Sequence, residues 1–111
     1  MAEPLDIAGQ SVIATSDDGT IVYWSKGAAE LYGWDAHEAV GRNIVDITPS
    51  AHTREQAIEI LTLLTEGQTW NGNFPVRRRN GTEFVAHVRD VPVFDRDGQL
   101  IGIVGISKMA S

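Results

Sequence analysis

The chain has 111 residues, a length that suits one domain with a single core. Hydrophobic residues make up 42% of it and charged residues 22%, as in an ordinary globular protein. Its net charge of −6 argues against nucleic acid as a main partner, because phosphate binding needs a basic face. The chain has no cysteine, which excludes disulfides, thiol nucleophiles and cysteine-ligated metals.

The hydropathy pattern predicts no membrane segment and no signal peptide. No apolar run approaches the roughly 18 residues of a membrane span, and residues 1–10 lack the basic-then-apolar order of a signal peptide. We therefore expect a cytoplasmic protein with a loose lead-in over 1–10, one domain over 11–108 and a short tail over 109–111.

The first half of the chain predicts a hairpin followed by short helices. Strands are expected at 11–15 and 21–24, and short helical segments at 26–32, 36–40 and 43–47. Ser25 suits the N-cap of the first helix, and Gly33 suits its end. Asp35 and Glu38 form a capping box for the second. Helices this short need a surface to pack on, and the sheet is the large apolar surface available.

A longer helix is expected from about residue 52 or 53 to residue 65. Thr53 and Gln56 fit a capping box at its start. Its apolar residues recur at i, i+3, i+4 and i+7 and form one stripe: Ala57, Ile60, Leu61 and Leu64.

The last third of the chain predicts a three-stranded antiparallel meander. Asn80-Gly81 indicates a two-residue hairpin turn in which both residues take positive φ, and Asp97-Gly98 closes a second hairpin. Two strands, a block of helices and three further strands indicate an α+β fold, because strands and helices do not alternate. The simplest closure is a five-stranded antiparallel sheet with the short helices and the longer helix on one face.

Four segments follow one another along the chain: DDGTIVYW, AAELYGWDAHEAVGRNIVDITP, RRRNGTEF and VPVFDRDGQLIGIVGIS. In this order and spacing, they resemble the PAS (Per-Arnt-Sim) sensor domain family over nearly the whole chain. The resemblance implies the strand order 2-1-5-4-3. It also implies a non-enzymatic sensory module of a bacterial-type signalling protein. Two features depart from the family pattern: Ser25 stands where an asparagine is usual, and no signalling helix follows residue 107. The second departure predicts an excised or minimal module.

The resemblance also implies a pocket between the longer helix and the sheet that binds a small ligand. The expected lining residues are Ile44, Ile47, Ile58, Leu61, Leu64, Trp70, Phe74, Val76, Val88, Asp90 and Ile103, with Ala86 and Gly105 beside them. The alternative is that these residues fill one another as a packed core. In that case the domain is a ligandless dimerisation or interaction module.

Haem and flavin are the cofactors that the family makes possible. His52 lies near the position of the proximal histidine in haem-binding members, although the cationic residue that holds bound oxygen is missing near Gly72. Trp70 matches the tryptophan that opens the third strand in noncovalent flavin binders. A covalent flavin adduct needs a cysteine and is excluded. His37 and His87 are expected at the surface.

Asp90 shares strand parity with Phe84, Ala86 and Val88, so its side chain is expected to point inward. A buried carboxylate needs a partner, and the candidates are Arg77, Arg79 or a polar ligand. A bulge near Pro92 would turn the side chain outward instead. The three consecutive arginines at 77–79 are expected to form a solvated hairpin tip, with a phosphate or partner site as the alternative.

The expected mechanism is a population shift. A ligand or a partner domain favours one packing of the helices on the sheet, and the change reaches an attached output domain. A homodimer is expected through the outer sheet face or the N-terminal segment, with neither nucleic acid nor a membrane as a partner.

Overall fold

The computed structural model describes residues 9–50 and 53–110. Its five strands are β1 (Ser11–Thr15), β2 (Ile21–Trp24), β3 (Trp70–Arg77), β4 (Glu83–Phe94) and β5 (Leu100–Met109). Its helices are α1 (Lys26–Tyr32), α2 (Ala36–Ala39) and α3 (Arg54–Thr65), with a 3₁₀ turn at Ile44–Asp46. The predicted α+β fold is confirmed, and the strands and helices lie within a few residues of their predicted bounds.

The five strands form one antiparallel sheet in the order β2-β1-β5-β4-β3. This confirms the order that the family resemblance implies. β5 is the central strand and pairs with β1 on one side and β4 on the other. It continues through Met109, the first residue of the predicted tail, and the Ala110 N–H donates to the Val85 carbonyl at 3.0 Å.

Local sequence explains the first helices. The Ser25 hydroxyl accepts from the Ala28 N–H at 3.1 Å, and Gly33 ends α1 with a φ of 79°. Ser25 also accepts from the Val12 N–H at 2.9 Å, so the same hydroxyl ties the start of α1 to β1. At α2 the Asp35 N–H donates to the Glu38 carboxylate, as the capping box predicts.

Two local predictions are wrong. Asn80 does not take a positive φ; only Gly81 does, at 89°. The loop is longer than a two-residue turn, because the Arg78 N–H donates to the Thr82 carbonyl, and a longer loop needs one left-handed residue instead of two. Thr53 does not form the predicted capping box with Gln56. Its hydroxyl instead bonds Ser50 Oγ at 2.8 Å and the Pro75 carbonyl at 3.0 Å, which ties the start of α3 to β3.

The core lies between the sheet and the helices that cover one of its faces. Ile21, Ala28, Ala39 and Ala86 are completely buried in it. α3 packs over β3 and β4, while α1 packs on β1. Among the described residues no helix is both long and apolar enough to cross a membrane.

Candidate functional site: a cavity between α3 and the sheet

A cavity of about 110 Å³ lies between α3 and the inner face of the sheet. Its helix wall is the stripe that the sequence predicts, made of Ala57, Ile60, Leu61 and Leu64. Its sheet wall comes from four strands and consists of Ile13, Thr15, Trp70, Phe74, Val76, Val88, Asp90, Ile103, Gly105 and Ser107. Tyr32 of α1 and the segment from Ile44 to Pro49 close the sides.

The structure brings most of the predicted lining residues together. Those that line the cavity are Ile44, Leu61, Leu64, Trp70, Phe74, Val76, Val88, Asp90 and Ile103. Trp70 opens β3, and its ring meets Phe74 edge to face, with 5.9 Å between the ring centroids. The sequence therefore identified the apolar frame of this cavity.

Three predicted residues lie elsewhere. Ile58 is 41% exposed and does not line the cavity. It follows Ala57 by one residue, so its side chain points about 100° away around the helix axis and lies outside the stripe. Ile47 is buried in the core but does not reach the cavity, and the same is true of Ala86. His52 lies outside the described residues. His37 and His87 are exposed, as predicted.

Apart from Asp90, the sequence analysis does not predict the polar residues that line the cavity. The Tyr32 hydroxyl, which is buried, lies 2.8 Å from Ser107 Oγ. The Thr15 hydroxyl is also buried, and it has no hydrogen-bond partner in the part of the chain that the structure describes. Strand parity could have identified Ser107, which follows Ile103 and Gly105 at alternate positions of β5. Tyr32 carries no such signal, because its position depends on how α1 packs.

Asp90 points inward, as its strand parity predicts. The register between β4 and β5 shifts between Val93 and Phe94, beyond Pro92, so the direction of Asp90 is unchanged. Burial raises the pKa of the Asp90 carboxyl to about 7. Burial also raises the pKa of Tyr32 to about 12; its bond to Ser107 opposes this rise, and the charge of Asp90 adds to it.

The arginines proposed as partners of Asp90 are engaged elsewhere. Arg77 donates to the Asp46 carbonyl at 2.8 Å. Arg79 pairs with Glu38 and lies 5.0 Å above the ring of Trp34. Arg78 stacks over Phe84 at 4.2 Å. Neither candidate arginine pairs with Asp90, which leaves a polar ligand as the remaining candidate partner. The three arginines connect the β3–β4 turn to the helical segments and to β4.

Comparisons with known proteins agree with this architecture. A family model described as the PAS fold matches residues 5–108. Phototropin-1A of Oryza sativa subsp. japonica is 28% identical over 93 residues, which cover 84% of this chain and 10% of phototropin-1A. The chain thus spans about a tenth of the length of this curated relative.

Two solved structures show the same fold. The PAS domain of a protein from Colwellia psychrerythraea superposes with a TM-score of 0.84 at 21% identity, over 93% of this chain and 87% of that one. A light-oxygen-voltage domain studied with a flavin analogue gives a TM-score of 0.79 at 24% identity, over 92% of this chain and 78% of that one.

Proposed function

Since the chain belongs to the PAS family, we propose that it is a sensory module that binds a small, mainly apolar molecule between α3 and the sheet. The observation that carries the proposal is the cavity of about 110 Å³, which has an apolar helix wall and a few polar groups on its sheet wall. Binding sites for small molecules have this composition: an apolar surface with a few convergent polar groups. The module acts by binding and not by catalysis.

The size of the cavity favours a small ligand. A dry protein cavity of about 150 Å³ holds one benzene ring, so about 110 Å³ suits a molecule of similar size or slightly smaller. The three fused rings of a flavin do not fit these walls as they stand. Flavin therefore becomes the alternative, motivated by the phototropin and light-oxygen-voltage relatives.

We further propose that β5 passes the binding event to an attached output domain. β5 contributes Ile103, Gly105 and Ser107 to the cavity and is hydrogen-bonded to both neighbouring strands. A ligand that fits one arrangement of these strands and α3 better than another shifts the population toward it. We also propose that this signalling takes place in the cytoplasm.

Mass spectrometry of small molecules released on denaturation tests the proposal. We expect a released molecule from the freshly purified protein and much less of it from Leu61→Trp, which fills the cavity from the helix wall. Ile58→Trp, on the exposed side of the same helix, is the matched control and keeps the molecule. An absorbance band near the flavin or haem maximum would select those cofactors instead. Wild type that releases nothing would favour the ligandless interaction module.

A homodimer through the outer sheet face is the second proposal. Val93 is 37% exposed there, beside half-buried Val91 and Val104, and Val85 lies farther along β4 with an exposure of 44%. An exposed apolar strip on a sheet is typical of an interaction surface. Sedimentation velocity would show a dimer that Val93→Asp dissociates, whereas Val40→Asp, an equally exposed position after α2, leaves it intact. A monomeric wild type would contradict the proposal.

A further inference from the structure

One carboxylate lies unpaired in the cavity wall. The sheet register places Asp90 between Trp70 of β3 and Gly105 of β5, with Ile13 of β1 next in the same row. Asp90 Oδ1 lies 2.6 Å from the point where a Cβ on Gly105 would stand. The carboxylate therefore fills the space that a side chain at position 105 would take, and its row neighbours are apolar.

Among residues 9–50 and 53–110, no cationic side chain lines the cavity around Asp90. The titratable groups that line the cavity are Asp90 itself and Tyr32 of α1, while α3, β1, β3 and β5 contribute none. No hydrogen bond or ion pair within residues 9–50 and 53–110 involves the Asp90 carboxylate. An ionised carboxylate in such a place is costly unless a partner compensates it.

A second polar residue without a described partner, Thr15, lines the same cavity. Thr15 pairs with Ile103, which in turn pairs with Pro92, so Thr15 lies one inward-facing row from Asp90. Its buried hydroxyl also lacks a partner among the described residues. Buried polar groups of folded proteins are nearly always hydrogen-bonded, and exceptions often mark a functional site. The Thr15 hydroxyl therefore indicates a second polar contact for a ligand, two strands across the sheet from Asp90.

We propose that the ligand combines a small apolar body with one basic nitrogen, and that this nitrogen forms an ion pair with the Asp90 carboxylate. The inference rests on the proposed function, since it names the chemistry of the ligand that the cavity binds. The apolar body packs on the helix wall. The charged nitrogen lies at the sheet wall, where Trp70 and Phe74 present rings that also attract cations.

A cation fits this site better than an anion or a neutral molecule. An anion would meet the charge of Asp90 in a setting of low polarity. A neutral donor would make a hydrogen bond but leave the buried charge uncompensated. A protonated amine supplies both the hydrogen bond and the opposite charge, and charge-assisted hydrogen bonds are roughly twice as strong as neutral ones.

NMR titration with two isosteric probes tests the inference. Cyclohexylamine and cyclohexanol share one apolar ring and differ in the charge of the polar group. At pH 8.5 we expect the amine to bind wild type about tenfold more tightly than the alcohol, which corresponds to about 1.4 kcal/mol. Asp90→Asn keeps the shape of the side chain and removes its charge, so the preference falls to about twofold or less. Glu83→Gln, an exposed change on the same strand, keeps the full preference.

The wild type alone provides an independent check. The amine stays protonated between pH 5.5 and 8.5, whereas Asp90, with its pKa of about 7, ionises across this range. Affinity for cyclohexylamine therefore rises about tenfold with pH, while affinity for cyclohexanol stays constant. Equal binding of the two probes at every pH overturns the inference and leaves the cavity as a ligand site. If neither probe binds, the inference also fails, and the proposed function is judged separately by the released molecules.

Discussion

The helix wall and the sheet wall of the cavity differ in what they do. The helix wall is uniformly aliphatic, and Leu64 in it is only 2% exposed. The sheet wall mixes aromatic and aliphatic residues with Asp90, Thr15 and Ser107. A uniform aliphatic wall stabilises the fold and accepts any apolar shape. Buried polar groups without partners lower stability, so under the proposed function their role is to select the ligand.

Under the proposed function, the helix wall of the cavity determines the stability of the fold, and the sheet wall determines which ligand binds. Substitutions on the helix wall should lower the free energy of unfolding, because they remove buried apolar contacts. Substitutions of the unpaired polar groups should leave it unchanged or raise it. The predictions below test that separation, from the largest expected effect to the smallest.

Leu64→Ala tests the helix wall. Removing a buried leucine side chain typically costs about 2–4 kcal/mol, through lost burial and the cavity that remains. Leu63 is the neighbouring residue, is 37% exposed and provides the matched control. Its change to alanine should cost less than about 1 kcal/mol. Urea unfolding of both variants measures the difference, and equal losses would show that α3 does not anchor the cavity.

Asp90→Asn tests the charged group of the sheet wall. The folded-state pKa of about 7 lies above the ordinary value of 3.8, so the folded chain holds the proton more tightly than the unfolded chain. The contribution of Asp90 to stability is therefore fully present below about pH 4 and is lost as the pH rises through 7. Allowing for partial exposure, the loss for wild type relative to Asp90→Asn should be on the order of 2 kcal/mol.

Urea unfolding at pH 4, 6 and 8 measures this loss for wild type, Asp90→Asn and the control Glu83→Gln. The control should follow wild type, because Glu83 is an exposed residue of the same strand. Parallel curves for wild type and Asp90→Asn would contradict the placement of an unpaired carboxyl in the cavity.

Sequence periodicity predicted the apolar walls and Asp90 but not the other polar residues of the cavity. The 3.6-residue repeat of α3 and the two-residue repeat of β4 fix which side chains point inward, and both repeats are local. The same repeat excludes Ile58, which does not belong to the stripe. Tyr32 and Thr15 come from distant parts of the chain. Their positions in the cavity depend on how α1 and β1 pack against the rest of the sheet, which is set by contacts distant in sequence.

Tyr32→Phe tests the hydrogen bond between the Tyr32 and Ser107 hydroxyls. The Tyr32 hydroxyl lies 2.8 Å from Ser107 Oγ in a buried setting. Its removal leaves Ser107 without this partner and should cost about 1–2 kcal/mol. Ser107→Ala and the double variant complete a double-mutant cycle, in which we expect a coupling of about 1 kcal/mol. A coupling near zero would mean that the two hydroxyls act independently.

Thr15→Val should have the smallest effect on the free energy of unfolding, and unlike Tyr32→Phe it should not lower it. The threonine hydroxyl is buried without a partner among the described residues, so an isosteric methyl removes a desolvated polar atom and no hydrogen bond. The ligand-free protein should be unchanged or gain up to about 1 kcal/mol. Thr48→Val is the matched control, because Thr48 also lines the cavity but donates to the Ile44 carbonyl at 3.3 Å and should lose stability. A loss for Thr15→Val as large as that for Thr48→Val would show that the Thr15 hydroxyl supports the fold instead of selecting a ligand.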